Sequence, residues 1–248
     1  MQTRYRLGLD LGANSIGWSA VSLDGDGRPA GLLDLGVRVY PDGRNPKDGS
    51  SLAAERRGPR SMRRNRDRYL QRRRALLNAL TRFGLMPGGA AERQAVAARD
   101  PYALRAAALH QRLAPDDLGR VLFHINQHRG FKSNRKVDRA SNEGGVIQDA
   151  AQRTQAELAR GGHATIGSWL ADRHEKHLGV RVRLAGSGKT AAYPFYPTRA
   201  MVLHEFETIW AAQQGWNPDL SETMRDRLRA IIFFQRELTS PPVGKCWL

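Results

Sequence analysis

Ten arginines and no lysine stand between Glu55 and Ala75: Arg56, Arg57, Arg60, Arg63, Arg64, Arg66, Arg68, Arg72, Arg73 and Arg74. A run of this kind excludes a buried core helix. Only Glu55 and Asp67 accompany it as acids, and unpaired charge is tolerable only in water or against a dense anion. Arginine also brings a geometry that lysine lacks, because its planar fork takes a phosphate through two parallel hydrogen bonds. The run predicts a helix lying along a nucleic-acid backbone. Met62, Tyr69, Leu76, Leu80 and Phe83 recur at helical spacing through it, which predicts one apolar stripe under a basic surface. Gly58-Pro59 interrupts the pattern, and Pro59 is expected to kink or restart the helix there.

The rest of the chain shares the basic character. Lys and Arg number 40 against 24 Asp and Glu, a formal charge of +16 over 248 residues. That excess points to nucleic acid, with an anionic membrane as the competing partner. No run of eighteen apolar residues is present, so no membrane span is expected, and Met1 to Leu11 lacks the pattern of a secretion signal. The single cysteine, Cys246, excludes an internal disulfide and a multi-thiolate zinc site and fits a reducing, cytoplasmic setting.

The predicted fold class is α+β, mostly α. Tyr5, Leu7, Leu9 and Leu11 alternate with Arg6, Gly8, Asp10 and Gly12, the period of a strand. A second run, Ile16 to Leu23, leads into the turn Asp24-Gly25-Asp26-Gly27, and a third covers Leu32 to Tyr40; together they predict an antiparallel meander. Residues 41 to 50 read as a linker. After the arginine helix, helices are predicted over 101 to 112, 116 to 129, 147 to 160 and 165 to 176, from Thr198, and from about Ser221 to Gln235, with loops at 136 to 146 and 184 to 193. Proline at a first helical position marks two of these starts, after Asp100 and after Ala114.

Asp10 is the candidate for chemistry. It lies on the polar side of its strand between Gly8 and Gly12, and small neighbours leave a carboxylate open to a metal ion. Magnesium is held by a few carboxylates with water and substrate oxygens, and paired ions can clamp a phosphodiester. On this pattern alone an ordinary aspartate in a glycine-rich hairpin fits as well, and Asp10, Gly12 and Gly17 also suit an actin-like kinase or ATPase.

An Asp-bearing hairpin joined by a short linker to an arginine-rich helix resembles the start of the RNA-guided DNA endonuclease of type II CRISPR systems, in its compact form. The segment Tyr5 to Trp18 resembles the first piece of a RuvC, RNase H-like, nuclease domain, with Asp10 in the place of its first metal-binding aspartate. Ser51 to Leu80 resembles the bridge helix that cradles guide RNA. Leu122 to Phe131, Tyr196-Pro197-Thr198-Arg199, Ile231 to Arg236 and Val243 to Cys246 resemble stations in the helical recognition lobe. The resemblance implies three parts: an incomplete RuvC segment at 1–48, the bridge helix at 49–84 and recognition lobe at 85–248. It implies guide RNA (crRNA and tracrRNA), target DNA and the remainder of the effector as partners, with Mg2+ as the cofactor of the complete enzyme and a bacterial cytoplasm as the setting. A phage anti-CRISPR protein mimicking nucleic acid is a further implied partner. His128, Arg129, Lys132 and Arg135 join the ten arginines as RNA-binding candidates. Two further RuvC segments and an HNH domain have no counterpart here, so the expectation is a fragment that binds RNA and does not cut DNA by itself.

Other signals are weaker. Ala185 to Thr190 approaches a P-loop, but position 183 is Arg where glycine is needed, and a flexible linker fits better. In Asp24-Gly25-Asp26-Gly27, a calcium loop would place its glutamate at position 35, which is Leu35. His124 and His128 have metal-ligand spacing, yet Ile125 stands where a zinc protease carries glutamate, and a phosphate-facing basic cluster is expected instead. His174 and His177 read as surface. Trp210 falls on an apolar helical stripe and reads as core; Trp169, Trp216 and Trp247 are open to stacking on bases. Three functions remain: a fragment of an RNA-guided nuclease, a silent RNA-binding or inhibitor-binding platform, and a kinase or ATPase on an actin-like fold.

Overall fold

The computed structural model describes residues 4–41, 43–132, 142–187 and 191–235. The chain divides into two compact units, Met1–Asp67 and Arg68–Leu248. The first holds the predicted meander: β1 (Tyr5–Leu11), β2 (Ser15–Leu23) and β3 (Pro29–Val39), paired antiparallel in the order β1-β2-β3. The turn at Asp24 is closed by the aspartate itself, whose Oδ1 accepts from the amides of Asp26 (3.0 Å) and Arg28 (2.8 Å). Its carboxylate therefore serves the backbone as an Asx turn.

The register places Leu9 opposite Trp18 and Leu11 opposite Ile16 on one face, and Asp10 opposite Gly17 on the other. On β3, Val37 pairs with Gly17 and Leu35 with Ser19, so Asp10 shares its face with large apolar residues. A bulge between Ala20 and Val21 accommodates the extra residue Leu33. Apolar side chains thus stand on both faces, the pattern of a sheet meant to be covered on both sides. In this chain both faces are open: Leu7, Leu9, Leu11, Leu35, Val37 and Val39 are all more than half exposed.

Helix α1 (Leu52–Arg82) runs through Gly58-Pro59 without a break, which corrects the expected restart. Proline removes one helical donor, and here that donor's partner is the carbonyl of the exposed Glu55, which water can serve. The apolar stripe is also corrected in part. Leu76 and Leu80 are fully buried, but Met62 is 73% exposed and every residue from Ala54 to Arg68 is exposed. A stripe is buried only where a partner surface packs on it.

The second unit is helical: α2 (Ala90–Ala98), α3 (Pro101–Ala107), α4 (Pro115–Gln127), α5 (Asn142–Arg160), α6 (Ile166–Glu175), α7 (Arg199–Trp216) and α8 (Glu222–Phe233). Leu76 and Leu80 of α1 join Val121, Leu122, Ile125, Phe206, Ile209, Trp210, Leu228 and Ile232 in its core. Thr198, Ser221 and Thr165 cap α7, α8 and α6 by accepting from backbone amides. Gly119 allows α4 to pass so close to the α1–α2 turn that a Cβ there would overlap the Leu85 carbonyl. The sequence pattern does not predict α2, an alanine-rich segment that buries only Val96. Residues 142–146 belong to α5 where the pattern suggests a loop, and 133–141 lie outside the described residues. Helix α3 stops at Ala107, well before 112. Among the described residues no helix is long and apolar enough to cross a membrane.

Candidate nucleic-acid interface

Nine of the ten α1 arginines are exposed, Arg72 alone being half-buried. Among the described residues no carboxylate pairs with any of them; the ion pairs found involve Arg99, Arg105, His174, Lys176, Arg225 and Arg229. Two of the ten are anchored without acids. Arg72 donates from Nε to Asn126 Oδ1 at 3.0 Å and lies over the Tyr69 ring. Arg73 lies over the Phe123 ring, 5.5 Å from its centroid.

Arg72 opens onto a cluster that the sequence does not reveal. Arg129, just past the end of α4, donates from Nη1 to the carbonyls of Ile232 (3.2 Å) and Phe234 (2.6 Å) at the end of α8. Arg199, at the start of α7, holds the Gly130 carbonyl through Nε (3.2 Å) and Nη2 (3.0 Å). Gly130 has φ +74°, and a Cβ there would collide with the Thr198 carbonyl, so glycine is needed for the two segments to meet. Burial, then repulsion from Arg72 and Arg199, lowers the Arg129 pKa to about 10. Burial and Arg72 also lower that of Arg199. Among the described residues no carboxylate pairs with any of the three. Arg199 Nη1 and the Nδ2 of the fully buried Asn126 are buried donors without a partner. A cluster of half-buried guanidiniums, two tethered to backbone carbonyls and one to Asn126, and short of acidic partners, suits a phosphate.

Histidine plays a different part. His124 is 5% exposed and packs against the rings of Tyr102 and His128. Burial, then the charges of Arg105, His128 and Arg120, push its pKa to about 2, so the expected phosphate-facing role does not extend to it. His128 keeps some exposed surface, and its pKa is lowered by packing around the ring and by Arg105 and Arg181. His124 makes the fold acid-sensitive. Below pH 6.5 the unfolded chain takes a proton that the folded chain refuses, so stability is complete above that pH and falls by about 1.4 kcal/mol per unit below it. Urea unfolding at pH 5 is expected to show about 2 kcal/mol less stability than at pH 7 from this residue; His124→Leu should flatten that slope.

Asp10 stands on the exposed β1, across from Gly17. Among the described residues no three His, Cys, Asp or Glu side chains come together where they could hold a metal ion. The described residues do not make a two-ion site, to which Asp10 would bring a single carboxylate. Lys132 is exposed, and Arg135 lies outside the described residues, as do Trp247 and Cys246. Trp169 is 5% exposed and carries Arg173 on its ring at 4.8 Å, so it is core; Trp210 is core as expected, and Trp216 is 40% exposed.

No protein-family model matches the chain. The CRISPR-associated endonuclease Cas9 of Campylobacter jejuni is 27% identical over 262 aligned residues, which take in 97% of this chain and 25% of that protein. The chain is similar to a part of that Cas9. It spans about a quarter of the length of that curated Cas9. A crystal structure of C. jejuni Cas9 with sgRNA and target DNA superposes with a TM-score of 0.61 at 22% identity, over 95% of this chain and 30% of that one. A cryo-EM assembly of St1Cas9 with sgRNA, tDNA20 and AcrIIA6 also gives 0.61, at 22% identity, over 97% of this chain and 27% of that one. The Cas9 likeness thus takes in both units, the sheet as well as the helices. Sequence marks Arg72 and Arg129 as candidates but not Arg199 and Asn126, their companions in the cluster. A signal for Arg199 exists in Tyr196-Pro197-Thr198-Arg199, which stands out in sequence only through its resemblance to a segment of the type II CRISPR endonucleases.

Proposed function

We propose that this chain is the part of an RNA-guided DNA endonuclease that grips the guide RNA. In this reading residues 1–48 are the first segment of a RuvC domain, 49–84 the bridge helix with its flanks, and 85–248 the recognition lobe. The acid-free cluster of Arg72, Arg129 and Arg199 carries it. Three half-buried cations with buried donors to spare are stabilised by a polyanion, and the exposed arginines of α1 add to that attraction. Such contacts position the strand; base pairing to target DNA supplies sequence.

The two open faces of the sheet support the remainder of the effector as a partner, since contiguous exposed apolar residues mark interaction surfaces. Magnesium belongs to the complete nuclease, to which Asp10 would give one ligand. Alone, this chain binds RNA and does not cut DNA. A binder without any catalytic role is the second reading, favoured by the isolation of Asp10; its arginine surface would also accept an acidic phage inhibitor. The working compartment in either case is the bacterial cytoplasm.

The test is salt dependence. Each single-strand phosphate neutralised contributes a slope of about −0.7 in log affinity against log salt. Guide-like RNA titrated between about 50 and 300 mM NaCl is expected to show a slope steeper than about −4. Affinity that barely moves with salt sinks the proposal.

A further inference from the structure

A cavity of about 480 Å³ opens in the helical unit between α3, α4, α6 and α7. It falls within the range of pockets that hold drug-sized ligands, about 300–1,000 Å³, and is far larger than a phosphate alone requires. Its apolar walls are Ile166, Leu170 and Val202, with the rings of Tyr102, Phe131 and Tyr196 beside them. Tyr196 stands edge-on to Phe131, 5.7 Å between centroids, and edge-on to Tyr193 at 4.9 Å, which holds its ring in place. The backbone beneath is fixed by Phe131 donating to the Pro197 carbonyl (3.1 Å) and Arg199 donating to the Phe131 carbonyl (2.8 Å).

The charged lining is cationic. Arg129 and Arg181 border the cavity beside His128, whose pKa is lowered, and among the described residues no carboxylate does. Arg105 reaches it too, but its charge is matched by Glu205, which takes Nε at 2.7 Å and Nη2 at 2.5 Å. Arg181 is exposed and lies close enough to Tyr102 and His128 to influence both. The occupant must therefore offer a flat apolar body and a negative charge together. Phosphate lacks the first, and an aliphatic acid leaves the ring faces unused.

We infer that this cavity receives one unstacked nucleotide of the bound RNA, its base against Tyr102 and Tyr196 and its phosphate at Arg129 and Arg181. The inference rests on the RNA-gripping reading and adds base capture to a surface that otherwise holds only backbone. Stacking of a base on an aromatic side chain tolerates any sequence, so the pocket sets the path of the strand without reading it.

The experiment is calorimetric titration of the full 248-residue chain with uridine 5′-monophosphate, adenosine 5′-monophosphate, inorganic phosphate and uridine. The mononucleotides are expected to bind at least about tenfold more tightly than either phosphate or uridine, because only they engage both halves of the site. Tyr196→Leu, which keeps an apolar side chain in that wall, should weaken mononucleotide binding at least about fivefold. Arg181→Gln should do the same from an exposed position that bears no part of the core, and so reports even if the tyrosine variant fails to fold. Mononucleotides binding no better than phosphate overturn the pocket, as does tighter binding that neither variant changes. The salt slope for long RNA, measured alongside, separates that failure from failure of the RNA-gripping reading.

Discussion

Changing Arg60, Arg63, Arg64 and Arg66 together to glutamine is expected to cost the chain about a thousandfold in RNA affinity at about 0.1 M salt, taking ~1 kcal/mol for each charge-assisted hydrogen bond removed. The slope of log affinity against log salt should flatten by about 3, at about 0.7 per phosphate released. These four are exposed, and among the described residues none has a carboxylate partner. Glutamine keeps helix propensity close to that of arginine. Folding stability should therefore stay within about 0.5 kcal/mol, and binding and folding are read independently by electrophoretic mobility and urea unfolding. If affinity holds within about threefold while the protein remains folded, α1 is not the RNA-facing helix. Arg72 would make a poor substitute in this experiment. Its Nε bond to Asn126 ties it to α4, and its removal relieves repulsion on Arg129 and Arg199, so folding and binding would change together.

The contrast between Arg63 and Arg72 also marks how far the sequence can be read. Charge density along α1 is plain from composition, and the strand alternation around Asp10 yields the meander with its ends within a few residues. The capping residues Thr198 and Ser221 announce α7 and α8 because their chemistry is local. What stays illegible depends on partners distant in sequence. Met62 and Leu76 fall on one side of a helical projection, yet one is exposed and the other buried, because Leu76 packs into the core of the helical unit. The Arg72–Arg129–Arg199 cluster draws on three segments far apart in the chain. Its members look in sequence like the other arginines, and only tertiary structure shows that they share a site without acids. Helix α2 escapes notice because alanine satisfies helical propensity without leaving an apolar stripe to count.

Glu205→Ala is expected to cost about 3–5 kcal/mol of folding stability, the usual consequence of removing one partner from a buried ion pair. Arg105 and Glu205 are 1% and 0% exposed and face each other through two hydrogen bonds, across α3 and α7. Helix α6 closes over them, since a Cβ on Gly167 would overlap Glu205 Oε1. Without the carboxylate, Arg105 keeps its charge at 1% exposure, with His124 Nδ1, 3.5 Å from Nη1, as a remaining polar neighbour. His124 is already held neutral by burial and by that charge. That is a large share of a usual net stability of about 5–15 kcal/mol, and at about 2–4 degrees per kcal/mol thermal unfolding should move down by about 6–20 degrees. Arg105→Met combined with Glu205→Leu removes both charges while filling the volume, and should recover most of the loss. Recovery separates an uncompensated charge from a simple packing defect, which a second substitution would deepen. Arg105 also borders the cavity of Tyr102 and Tyr196. A double variant that folds but binds uridine 5′-monophosphate as the native chain does would show that Arg105 serves the fold alone, leaving Arg129 and Arg181 as the cations that meet the phosphate.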